Sequence, residues 1–273
     1  MNTTRLQSLA RAIPTKLQTA ARSVHRLENW GTYLMDCVGL AGSDKMSYTL
    51  RDGTRFVVRA GTVDRYVLNE VVFRRGYFPG ELSIGREDTI VEIGGHIGIF
   101  SVLAAKMASH GRVYTFEPNP DNFNLLATNL AINRIGNVIA RQEAVSDRAG
   151  SLTLYIDPGN TGGHSIHRTE QTRSEITVRT TTLTDIVDQN RLRRIDFLKM
   201  DCEGAEYEIL RRLPIDVLGM IRQIAMECHY QGDGRDSKWI AGLLRRNGFD
   251  VVIKTDKYDE KLSMIYAKQV YNN

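Results

Sequence analysis

The stretch Asp88-Thr-Ile-Val-Glu-Ile-Gly-Gly-His-Ile-Gly-Ile-Phe100 decides how this chain folds. Thr89 to Ile93 is a short apolar run with one acid, Glu92, near its end. Gly94, Gly95 and Gly98 then let the backbone turn sharply and approach a ligand closely. From Ile97 onward, Ile97, Phe100, Ala104, Ala105 and Ala108 recur at helical spacing, so the turn opens a helix whose first N–H groups lack intrahelical partners. A buried strand, a glycine turn and a helix form the unit that seats a small molecule above a strand end.

Working outward, strands and helices alternate, which is the pattern of an α/β doubly wound parallel sheet. The second strand is expected over Arg112 to Phe116, and a helix over Pro118 to Asn133 with Pro118 near its first turn. Val138 to Glu143 reads as a third strand. Two further β-prone runs, Ser151 to Ile156 and Ile176 to Thr180, flank a Gly-rich polar segment holding His164 and His167, either acceptor contacts or solvated loop residues. Strands follow at Ile195 to Met200, Ile221 to Met226, Phe249 to Ile253 and Leu262 to Ala267, with helices at Ala205 to Leu213 and Ser237 to Asn247. Before the sheet, Asp52-Gly53 between Ser47–Leu50 and Arg55–Val58 signals a hairpin, and Thr62 to Arg75 returns to helical periodicity. These boundaries divide the chain into an N-terminal helix and hairpin extension, 1–85, and a ligand-binding domain, 86–273.

The 273 residues are 42% hydrophobic and 25% charged, as in ordinary soluble proteins, and no apolar run reaches the ~18 residues of a membrane span. The net charge of +4 is small, and part of it comes from Arg5, Arg11, Lys16, Arg22 and Arg26 in an opening segment without an acid. Nucleic acid is therefore not an expected partner. That segment reads as amphipathic helix, with a transit peptide or membrane-surface helix as competing readings and a homodimer as one use for it. Cys37, Cys202 and Cys228 are widely spaced, with neither a disulfide framework nor a zinc pattern, which suits a reducing cytoplasm.

In such a sheet the chemistry lies at the carboxyl ends of the strands. His96 breaks the G-x-G-x-x-G frame of a dinucleotide turn, and no lysine follows Gly98 as a phosphate loop requires. What remains is a carboxylate suited to an amino group, Glu92, beside a backbone suited to a ribose, and S-adenosylmethionine (SAM) carries both. Glu117 ends the second strand, 23 residues after Gly94, near the offset at which an acid bonds ribose hydroxyls. The third strand presents Glu143 and Ala144 to a purine edge. The fourth delivers Lys199-Met-Asp-Cys-Glu-Gly-Ala-Glu206. Lys199, inside an apolar strand, needs a partner, and Glu92 and Glu227 are the candidates. Asp201 is placed for chemistry, while Glu203 and Glu206 suit the positive end of the next helix. The fifth strand ends in Glu227-Cys-His229, where His229 is a general base, a substrate contact or a structural group.

With these pieces in order the sequence resembles the FkbM family of SAM-dependent methyltransferases. The resemblance runs from about Arg51 to Tyr230. It is carried by Arg59-x-Gly-Thr-x-Asp64 with Asn69-Glu-Val-Val-Phe73, the turn from Glu92 to Phe100, Phe116-Glu-Pro-Asn-Pro120, Ala144-Val-Ser-Asp147, the Gly-rich stretch near Gly162, Thr181-Thr-Leu183, Lys199-x-Asp-x-Glu-Gly-Ala-Glu206 and Glu227-x-His229. It implies a Rossmann-like class I methyltransferase sheet, mostly parallel and seven-stranded with the last strand antiparallel. It also implies a cofactor site at Glu92, Gly94, Gly95, His96, Gly98, Glu117, Pro118, Asn119, Glu143 and Ala144. O-methyl transfer to a small-molecule or glycan hydroxyl is the implied reaction, with Asp201 and His229 as catalytic candidates. In place of a base, Asp201, Glu227 and His229 are alternatively the holders of a divalent ion such as Mg²⁺, although no dense metal motif is present. The family usually carries Asp at the position of Glu92 and Asn at that of His96. A nicotinamide oxidoreductase and a non-catalytic binding protein with a relic fold are the readings from other classes.

Overall fold

A computed structural model describes residues 18–157, 160–163, 172–230, 232, 235–255 and 262–270; most of the basic N-terminal segment, and His164 and His167, lie outside them. The chain divides into two compact units, Met1–Gly76 and Tyr77–Asn273.

In the first unit α1 (18–26) and α2 (Trp30–Cys37) precede a hairpin of β1 (Lys45–Thr49) and β2 (Arg55–Arg59). The strands pair antiparallel from Lys45↔Arg59 to Thr49↔Arg55, and Gly53 turns between them at φ +80°. Alternation buries Met46, Tyr48, Phe56 and Val58 on one face, where Tyr33 meets Tyr48 and Phe73 edge to face. The helix expected over Thr62 to Arg75 is present in two parts. α3 (Asp64–Leu68) continues as a π-helical turn, Asn69–Arg74, which closes at Arg75 in the left-handed conformation, φ +56°.

The second unit is built on a seven-stranded sheet. Its strands are β3 (Thr89–Ile93), β4 (Arg112–Phe116), β5 (Val138–Arg141), β9 (Phe197–Met200), β10 (Gln223–His229), β11 (Phe249–Thr255) and β12 (Leu262–Gln269), in the order β11-β12-β10-β9-β3-β4-β5. β3, β4, β5, β9 and β10 pair parallel, and β12 runs antiparallel between β10 and β11. The chain therefore leaves β3 toward β4 and β5 on one side and returns to β9 and β10 on the other. β3 and β9 are the switch point, where an open α/β sheet holds its ligand.

Around the sheet lie α4 (Ile99–Met107), α5 (Pro120–Ile132), α6 (Leu183–Gln189), α7 (Glu206–Arg212), α8 (Ile215–Gly219) and α9 (Ser237–Arg246). Val91, Ile93, Leu198, Met200, Ile224 and Met226 from the strands pack with Ile209, Leu210 and Ile240 in one buried core. Strands buried on both faces need near-continuous apolar runs, and β3 and β9 depart from this at Glu92 and Lys199, which stand opposite one another.

Several boundaries, and one added helix, differ from those expected. α5 begins at Pro120, because Asn119 caps it by accepting from the Asp121 and Asn122 amides at 2.9 and 3.1 Å. β5 ends at Arg141, after which β6 (Ala144–Val145) joins β7 (Gly150–Ile156) and β8 (Ser174–Thr181) in a separate sheet, ordered β6-β8-β7. α6 carries a Thr182/Asp185 capping box that the apolar pattern alone does not reveal. Among the described residues no helix is long and apolar enough to cross a membrane.

Candidate active site

The turn after β3 is held by the strands on either side of it. The Gly94 and Gly95 amides both donate to the Phe116 carbonyl at 3.0 Å, and the His96 amide donates to Glu117 Oε2 at 2.7 Å. The turn thus spends these N–H groups within the protein and is no phosphate cradle. That suits a sulfonium ligand without phosphates. Gly94 and Gly98 have φ +81° and His96 φ +48°. The left-handed region admits Asn, Asp and His more readily than other side chains, so His96 in place of the family's usual Asn preserves the backbone.

Glu117 is buried at the end of β4. Besides His96 it accepts from the Asn119 amide at 2.9 Å and from Asn122 Nδ2 at 3.4 Å. Burial raises its carboxyl above the ordinary glutamate value, against the opposing pull of His96 and the donated N–H groups. A carboxylate has about four lone-pair sites, so acceptor capacity remains for a ribose diol. The donor set fits SAM: a carboxylate for the sugar, close backbone at the glycines and a group of acids near the switch point for the positive charge.

Glu92 sits deeper than a strand-end acid does, at 1% exposure. Ser101 of α4 donates to its Oε2, and Lys199 stands opposite it in the β3–β9 register. Burial raises its carboxyl to about 7, with Lys199, Ser101 and Thr115 opposing. Lys199 Nζ in turn donates to the Gly94 carbonyl at 2.5 Å, lies 3.5 Å from Asp201 Oδ2 and stands 5.0 Å from the centre of the Tyr77 ring. Of its two expected partners, Glu92 is its strand neighbour, and the Asp201 carboxylate takes the ion-pair position at the strand tip. Glu143 pairs with Arg179 at 3.3 Å, and Ala144 is buried in the small sheet.

Asp201 links the end of β3 to Tyr77 and Glu227. Its amide donates to the Ile93 carbonyl at 3.0 Å, and its Oδ2 accepts from the Tyr77 hydroxyl at 2.8 Å. The same hydroxyl lies 3.2 Å from Glu227 Oε2. Burial disfavours the Asp201 anion, yet Lys199, His229 and the Tyr77 hydrogen bond outweigh it and hold its carboxyl below the ordinary aspartate value.

His229 lies among acids. Its Nδ1 is 3.4 Å from Glu206 Oε1, and its Nε2 is 3.3 Å from Glu203 Oε2 and 3.5 Å from Glu227 Oε1. Burial disfavours the imidazolium, but Glu206, Glu203 and Asp201 prevail and raise it to about 10. Glu203, at φ +52°, is pushed up to about 7 by burial, with His229 opposing. Glu206 is buried and accepts from the Cys202 and Gly204 amides at 3.1 and 3.3 Å, so it closes the loop ahead of α7 as well as holding His229. Asp201, Glu227 and His229 each bring a donor atom within 4.8 Å of the others. Nothing in the sequence around Tyr77 marks it as a site residue, since its partners stand 124 and 150 residues away.

Comparison with known proteins decides the family. The Methyltransferase FkbM domain matches residues 92–251, more than half of the chain. The chain belongs to the FkbM methyltransferase family. This FkbM-family chain is 29% identical over 203 residues to Methyltransferase 1 of Beauveria bassiana, covering 66% of the chain and 80% of that protein. It is 27% identical to the 31-O-demethyl-FK506 methyltransferase FkbM of Streptomyces tacrolimicus, covering 73% and 86%. A crystal structure of methyltransferase FkbM from Methylobacillus flagellatus KT shares the fold at TM-score 0.50 and 14% identity, over 96% of this chain and 60% of that one. The protein is a SAM-dependent methyltransferase with the Rossmann-like sheet its sequence implies.

Proposed function

We propose that the acceptor atom is a hydroxyl oxygen on a sugar or natural product, and that Asp201 and His229 hold it above the turn. The observation that carries this reading is the ionised Asp201 carboxylate at the β9 tip, fixed by Tyr77 and Lys199 next to the Gly94 turn. The names of two relatives agree with it: 31-O-demethyl-FK506 methyltransferase and, 25% identical over 150 residues, the hexuronic acid methyltransferase AglP of Haloferax volcanii.

When bound, SAM supplies a methyl group made electrophilic by its sulfonium. Glu117 and the Gly94 to Gly98 turn bind the cofactor, with Pro118 and Asn119 shaping the wall beside Glu117. The protein's remaining tasks are to align the hydroxyl and to take its proton. As the hydroxyl oxygen gains carbon it becomes far more acidic than a carboxylic acid, so Asp201 accepts the proton despite its low basicity. His229, an imidazolium at neutral pH, donates hydrogen bonds and orients the acceptor.

The test is incubation of the full chain with deuteromethyl SAM and pooled sugars and natural products, with mass spectrometry locating the label. Label on oxygen is expected. Label confined to nitrogen or carbon would overturn the assignment.

A further inference from the structure

Helix α2 of the first unit carries its polarity the wrong way round. A helix packed on a core normally turns apolar residues inward and charged ones outward. The one charged residue of α2, Asp36, is buried, whereas Trp30, Met35 and the C-cap Val38 are 42%, 50% and 69% exposed, and Leu40 just beyond is 65% exposed. We infer that this face of α2 is a docking surface for an anionic lipid bilayer, on which the first unit lies without crossing it.

The inner side of the helix fixes which way it faces. Tyr33 packs edge to face on Tyr48 and Phe73, and Asp36 accepts from the Tyr48 hydroxyl at 2.5 Å and the Gly61 amide at 2.9 Å. Asn29, ahead of the first turn, is tied to β1 through the Ser47 carbonyl and the Thr49 amide. At about 100° per residue, Trp30, Leu34 and Val38 form one row with Met35 beside it, opposite Tyr33 and Asp36. No charged side chain stands on that row. A rotation that hid it would break the inner contacts.

Charge identifies the partner. Residues 1–76 hold 12 Lys or Arg against 6 Asp or Glu, while the whole chain holds 36 against 32, so the entire positive excess belongs to this unit. Arg22 and Arg26, in α1 directly ahead of α2, are exposed. Guanidinium groups beside an exposed indole and aliphatic side chains match a lipid surface, where the apolar groups enter the acyl boundary and the cations meet headgroup phosphates. A second copy of the chain fits less well, because a two-fold contact sets this basic unit against itself.

The chain holds two tryptophans, and Trp239 packs on Tyr207 in the second unit, so Trp239→Phe leaves Trp30 as the reporter. The experiment titrates the full Trp239→Phe chain with vesicles of phosphatidylcholine, alone or with about 30% phosphatidylglycerol, and follows Trp30 emission and co-sedimentation. Saturable binding with a shift of Trp30 emission to shorter wavelength is expected, at least about 10-fold tighter on the anionic vesicles. Arg22→Gln/Arg26→Gln and Met35→Ser/Val38→Ser should each weaken it at least about 10-fold. Their unfolding midpoints should stay within about 2 °C of the parent, which shows that they fold. Absence of binding at millimolar lipid would overturn the inference, as would equal binding to both vesicle types, unchanged Trp30 emission on binding, or full binding by the Met35→Ser/Val38→Ser variant. A lipid-free shift of Trp30 that rises with protein concentration, matched by a dimer in sedimentation velocity, would assign the face to a second copy instead. A shift already present in the lipid-free monomer would assign it to the chain's own residues 1–17.

Discussion

Replacing Gly94 by alanine should do more harm than its backbone conformation explains. At φ +81° an alanine incurs about 1–2 kcal/mol of left-handed strain. An added Cβ would also stand 1.8 Å from the Asp201 carbonyl oxygen and 2.9 Å from its carbon. Ordinary contact begins near 3.4 Å, so β3 and β9 must part locally by about 1.6 Å, the difference between 3.4 and 1.8. Overpacking of that kind adds about 1–3 kcal/mol, for a total of about 2–5 kcal/mol. Gly248 provides the control, because it lies in the same unit at φ +82° with nothing within 4 Å of its Cβ position. Gly248→Ala should therefore lose only the conformational part. Urea unfolding of both variants separates the two costs. Because the clash falls on Asp201, Gly94→Ala should also lower kcat about 100-fold, as displacements near 1 Å do. Equal stability losses in the two variants, with kcat preserved in Gly94→Ala, would show that the Asp201 carbonyl does not restrict this position.

Other outcomes follow from the same geometry. Glu117→Gln removes charge from a carboxylate that accepts three N–H groups, so SAM affinity should fall about 10- to 100-fold by calorimetry. Asp201→Asn should reduce turnover about 100-fold or more while SAM affinity changes less than about threefold, measured on the same preparation. The His229 ring, raised from 6.5 to about 10, contributes stability that is fully present below about 6.5 and is lost as pH rises toward 10. The urea midpoint should fall between pH 7 and 10, and His229→Gln should flatten that slope; a parallel slope in the variant would exclude the ring as its source.

The parts legible in the sequence are those written locally. The glycine turn shows because Gly94 and Gly98 adopt positive φ, and the buried strands show because both faces require apolar residues. Where chain-distant groups meet, the sequence is silent. Tyr77 precedes any helix or strand of its unit, yet its hydroxyl organises Asp201 and Glu227. Glu206 looks like an ordinary first-turn acid until the fold brings His229 beside it. Proline chemistry misplaced the start of α5 by two residues, because Pro118 and Pro120 both suit a first turn and only the Asn119 side chain chooses between them. The short β6 leaves the main sheet at a point where the hydrophobic pattern simply continues, and registry with β8 settles where Ala144 goes.

The Lys199 to Gly94 contact, which spans 105 residues, has a consequence for how the protein is made. A ribosome releases β3, its turn, β4 and β5 long before β9 exists, so the nascent central strand carries one bare edge and lacks half of its floor. Fragments that end before Phe197 therefore hold the complete glycine sequence but lack the β9 edge and the Lys199 contact that back the turn. The turn is fully enclosed only when β9 docks against β3 and Lys199 reaches the Gly94 carbonyl.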